Sequence, residues 1–101
     1  MARLDVYPMP GRRRTGYVVD VRARLLDHLA TRVVVPLVPQ AETPKPIGEL
    51  NPVFDIEAVP QAMLTQAIVT VPAKALKRTV ASFDTQHDQI TRALDVLPLG
   101  Y

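Results

Sequence analysis

Apolar and polar residues alternate over short stretches along most of this chain, and the spacing becomes helical only near its end. Leu4 and Val6 alternate with polar neighbours across RLDVY at 3–7, which predicts a strand. Pro8 and Pro10 end it, and PMPGRRRTG at 8–16 reads as a turn or loop. GYVVDV at 16–21 is rich in β-branched and aromatic residues and predicts a second strand. Together the two make a hairpin with a long basic tip. RARLLDHLA at 22–30 reads as a short helical turn or an irregular crossover. TRVVVPLV at 31–38 is the strongest strand pattern, and Pro36 inside it predicts an edge position or a bulge. PQAETPKPIG at 39–48 has three prolines and no periodicity, so it is expected to be an exposed loop. NPVFDI at 51–56 and the residues around Met63 to Val71 together add two or three strands. VPAKALKRTVASF at 71–83 is ambiguous: its Ala and Lys content favours helix, whereas Thr79 and Val80 oppose it.

The last element is clearer. Ile90, Ala93, Leu94 and Leu97 fall at i, i+3, i+4 and i+7, the apolar stripe of a helix. Asp84 is its expected N-cap, since a carboxylate there accepts free amide protons of the first turn. Phe83 before it is placed to pack back as a staple. Asp88 and Arg92, four apart in the favourable order, are an expected pair on the polar side. Pro98 cannot continue the helix. Five to seven short strands followed by one C-terminal helix predict a mainly β fold, a small barrel or a sandwich.

Composition sharpens this picture. The chain has 101 residues, the length of a single domain spanning 1–101. Ten prolines are about twice the usual share, which favours short strands and fixed turns over a helical bundle. There is no cysteine, so disulfides, thiol catalysis and cysteine-based metal sites are excluded. MARLDVYPMP lacks a basic-then-apolar signal pattern. No apolar run approaches the roughly 20 residues that span a bilayer. A cytoplasmic protein without membrane contact is therefore expected.

The net charge of +2 is unevenly spread. Residues 1–32 hold seven arginines against three aspartates, whereas residues 33–101 hold five basic and seven acidic residues. Arg12, Arg13 and Arg14 form the obvious basic patch, GRRRTG. Three readings fit it: a solvated hairpin tip, a contact for an acidic partner peptide, or a phosphate contact of nucleic acid.

Catalytic patterns are missing from the sequence. His28 and His87 stand in no metal-ligand spacing and are read as structural or solvent-facing. No GxSxG, phosphate-binding glycine loop or GxGxxG occurs, and no local motif pairs two carboxylates as acid and base. Neither an enzyme nor a cofactor nor a metal is expected. Leu25 and Leu26 are adjacent, so at least one tends to face outward, either incidentally or as a protein-contact patch. The tail LPLGY either docks on its own core or offers Leu97, Leu99 and Tyr101 to a partner or a second copy.

The order of segments then carries a resemblance. VY at 6–7, VVDV at 18–21, RVVVPL at 32–37, ELNPVFDI at 49–56, MLTQAIVTVP at 63–72, I-x-x-A at 90–93 and a terminal x-G-x run along essentially the whole chain. In this order they resemble the CcdB family, toxins of plasmid and chromosomal toxin–antitoxin modules. The resemblance implies an SH3-like barrel with an additional small antiparallel sheet and a C-terminal helix. It implies a homodimer that binds the A subunit of DNA gyrase and traps the enzyme on cleaved DNA. It further implies a cognate antitoxin, and contact with DNA only through gyrase or the toxin–antitoxin complex. Family members of this type end in Trp-Gly-Ile, the residues that carry the gyrase contact. By position these become Leu99, Gly100 and Tyr101 here, of which the glycine matches. Leu25 and Leu26 match two aliphatic positions that assist target contact. Asp95 and Pro98 stand where the family carries an amide and an aromatic residue. Arg12, Arg13 and Arg14 are the expected antitoxin contacts. Two other readings accompany this one: a CcdB-fold protein with a changed target that serves as antitoxin partner and operon corepressor, and a small basic nucleic-acid-binding barrel.

Overall fold

The computed structural model describes residues 4–10, 16–21, 30–42 and 48–96. Seven strands form one sheet: β1 (Asp5–Pro8), β2 (Tyr17–Asp20), β3 (Thr31–Pro39), β4 (Val53–Ile56), β5 (Val59–Met63), β6 (Val69–Pro72) and β7 (Ala81–Ser82). One helix, α1 (His87–Asp95), follows. The path is β4-β5-β3-β2-β1-β7, every pairing is antiparallel, and β6 also pairs β3. The sheet curls into a nearly closed barrel, mostly β with a C-terminal helix, consistent with an SH3-like fold. The expected small antiparallel sheet is the β4–β5 hairpin on the C-terminal half of β3, hydrogen-bonded into the same ladder.

β3 is the hub. One edge pairs β2 from Val34 to Leu37; the other pairs β6 from Thr31 to Val34 and β5 from Leu37 to Pro39. Pro36 therefore lies in a central strand, not at the expected edge. The N and C=O of a strand residue point to the same side. The Pro36 carbonyl accepts the Leu64 N–H at 2.9 Å, so its donorless nitrogen faces the gap between β6 and β5. A proline at that point costs no ladder bond.

The two-residue period buries both sheet faces. Leu4, Val6, Val19, Val35 and Leu37 form the main core with Phe54, Ile56, Met63, Phe83, Ile90 and Ala93. Tyr7, Val18 and Val34 point the other way, onto Leu76. The Phe54 and Phe83 rings meet with centroids 4.6 Å apart. Residues 71–83 resolve against helix: a 3₁₀ turn at Ala73–Ala75 leads to an extended run and to β7. This places Leu76 over the second core face, a burial that outweighs the helix propensity of Ala and Lys.

The helix begins differently from expectation. Asp84–Gln86 is a 3₁₀ turn, and α1 starts at His87 with no side-chain cap. The residue at the N-cap position of α1 is Gln86 and not Asp84, whose own N–H donates to Ser82 Oγ at 3.4 Å. Asp88 Oδ1 lies 3.7 Å from Nδ1 of the preceding residue, His87. The stripe itself is as expected: Ile90 and Ala93 are fully buried and Leu94 packs beside them.

Candidate functional site

Of the expected target-binding residues, Asp95 alone lies among the described residues. Asp95 is the last helical residue and is exposed, as is Val96 after it. The Val96 N–H donates to the Ala93 carbonyl at 3.2 Å, tightening the last turn. Leu25, Leu26, Pro98, Leu99, Gly100 and Tyr101 lie outside the described residues, as do Arg12, Arg13, Arg14, His28 and Leu97. His87 is half exposed.

A second feature was not signalled by the sequence pattern. An open groove of about 500 Å³ runs between the β1–β2 hairpin, the β4–β5 turn and the extended run before β7. Met9 and Val80 supply apolar surface, Lys77 and Arg78 supply cations, and Tyr17 and Glu57 face one another. The Tyr17 hydroxyl donates to Glu57 Oε1 at 3.3 Å, long for such a bond and hence weak. Burial raises the Tyr17 phenol above its ordinary value of 10.0; the Glu57 carboxylate and its hydrogen bond add to this, and Arg78 opposes it.

Each wall has a local cause. Gly16 has φ +91°, and a Cβ there would meet the Leu37 carbonyl at 2.7 Å; only glycine brings the hairpin so close to β3. Met9 N–H donates to the Gly16 carbonyl at 3.2 Å and closes the described ends of the hairpin. Glu57 and Ala58 make the two-residue turn from β4 to β5, both with positive φ. That is the twist a tight hairpin requires, here formed without glycine or asparagine. Tyr17 and Glu57 are 40 positions apart, and Lys77 and Arg78 sit in the segment whose pattern was ambiguous. The one local hint was two adjacent cations.

Among the described residues, no three of His, Asp and Glu are grouped to hold a metal ion. No helix of the described residues is long and apolar enough to cross a membrane. The described surface carries two candidate features, an exposed helix end and a cationic, partly apolar groove.

The family model described as CcdB protein matches residues 3–100. This chain belongs to the CcdB family. Comparison with curated proteins gives no match. CcdB membership makes it a toxin-class protein of toxin–antitoxin modules, a family of toxins and not of catalysts. The barrel with its C-terminal helix agrees with that assignment.

Proposed function

We propose that this CcdB-family chain is a toxin that binds the A subunit of DNA gyrase through its C-terminal residues and traps the cleaved-DNA complex. The observation that carries this reading is the family match across residues 3–100. The architecture supports it: α1 is held on the core by Ile90 and Ala93 and presents Asp95 at its exposed end. In the sequence, Leu99, Gly100 and Tyr101 follow Pro98, a residue that cannot continue a helix. Leu25, Leu26, Asp95 and Pro98 complete the target surface. A three-residue tail is too small to bind strongly alone. In a two-fold homodimer, two such tails form one apolar patch facing a two-fold target. A cognate antitoxin, acidic and flexible, neutralises the toxin and meets Arg12, Arg13 and Arg14.

Gyrase supercoiling and cleavage assays test this. Cleaved-DNA complex accumulates with the intact chain, and does not with Gly100→Arg or with residues 99–101 deleted. Both variants keep the wild-type circular dichroism spectrum. No cleaved complex at saturating intact protein overturns the gyrase reading. Leu99 at the family's tryptophan position favours one other reading: a CcdB protein with an altered target that acts as antitoxin partner and operon corepressor. Operator binding by the toxin–antitoxin complex without gyrase poisoning would select it.

A further inference from the structure

We propose that the groove between the two hairpins and the extended run before β7 seats an acidic, extended protein segment, and that Glu57 occupies the place of one of its carboxylates in the free protein. The charge and the lining point to this occupant. Lys77 and Arg78 line the groove as exposed cations, and Glu57 is its carboxylate. A carboxylate-bearing chain gains two ion pairs there. Met9 and Val80 offer apolar surface, and the Tyr17 ring stands beside them. This suits a peptide side chain between two acidic residues better than a duplex, whose phosphates present no apolar surface. The third observation is Glu57 itself. It is exposed, sits on a turn fixed by positive φ at two residues, and takes only a 3.3 Å bond from Tyr17. A bond that long is exchanged readily for an incoming carboxylate. Tyr17 then donates to the partner, and Glu57 swings into water.

The identity of the partner rests on the toxin reading, in which the segment belongs to the antitoxin. The binding itself does not rest on it and is measured with a synthetic probe: a fluorescein-labelled glutamate-rich peptide carrying a central leucine and phenylalanine. Fluorescence anisotropy with the full chain gives saturable binding. Lys77→Ala with Arg78→Ala weakens it about tenfold, the worth of two partly exposed charge pairs. Lys74→Ala, an exposed cation that does not line the groove, changes it far less. Glu57→Gln tightens binding about threefold by removing the internal competitor. Asp55→Asn makes the same change in net charge on the same hairpin, outside the groove, and leaves affinity near the wild-type value. Equal effects of Glu57→Gln and Asp55→Asn, or no loss with the Lys77 and Arg78 pair, overturn the proposal. So does a short DNA duplex that binds more tightly than the peptide and loses affinity with the same pair. A failed peptide titration leaves the gyrase assay standing, and a failed gyrase assay leaves the titration standing.

Discussion

Gln61 is nearly buried in β5, directly across from Phe54, and its Oε1 has no hydrogen-bond partner among the described residues. A buried unpartnered amide oxygen carries its full desolvation cost. Gln61→Met should raise stability by about 1 kcal/mol, read as a higher urea midpoint at unchanged slope. Asp20 and Arg32 are the opposite case. They are buried together, with Arg32 Nε 3.6 Å from Asp20 Oδ2. Asp20→Asn removes the carboxylate charge that faces the buried Arg32 guanidinium and should cost about 3 kcal/mol. Asp20→Leu combined with Arg32→Met should recover most of that loss. Tyr7, beside this pair, is raised above its ordinary 10.0 chiefly by burial, and the Asp5 and Asp20 carboxylates add to it. A hydrogen bond with Thr79 and the Arg32 charge oppose. The fold thus favours the neutral phenol. That stabilisation is full below pH 10.0 and is lost as pH rises through the raised value. Urea midpoints measured above that pH should fall, and fall less in Tyr7→Phe.

At the scale of elements, turns and the helix face decide most. Ala58 holds φ 68° in a turn where glycine pays no steric penalty. Ala58→Gly should stabilise the β4–β5 hairpin by about 0.5–1 kcal/mol after the added unfolded-state entropy is subtracted. Gly16→Ala should do the reverse, because its Cβ runs into the Leu37 carbonyl. Ile90 has no exposed surface and anchors α1 to the core; Ile90→Ala should cost about 3 kcal/mol. Several elements were legible in advance for the same physical reasons. The alternation at 3–7 and the β-branched and aromatic residues at 16–21 encode strands, and the 3.6-residue stripe from Ile90 to Leu94 encodes the helix. Pro36, Asp84 and residues 71–83 misled a local reading. A proline's tolerance depends on which neighbour its nitrogen faces. The cap position moved because a 3₁₀ turn precedes the helix. Leu76 is extended because the second sheet face needs covering.

At the scale of the molecule, β3 joins every part, pairing β2, β5 and β6 along nine residues. The β1–β2 hairpin and the β4–β5 turn on either side of the groove are therefore both tied to this one strand. If the tail acts and the barrel only presents it, deletion of residues 99–101 should abolish toxicity in a growth assay without moving the thermal midpoint by more than about 2 °C. A variant that unfolds instead would make the tail a structural part.

The mainly β class, the terminal helix, the absence of thiol chemistry and the family resemblance all follow from the sequence, because each rests on local periodicity, composition or the order of short segments. The groove does not. Tyr17 meets Glu57, and Lys77 and Arg78 join them, only after antiparallel pairing folds three distant stretches onto the same side. The place of Pro36 was likewise fixed by pairing, since only a gap between two neighbouring strands lets a central strand keep a residue that cannot donate.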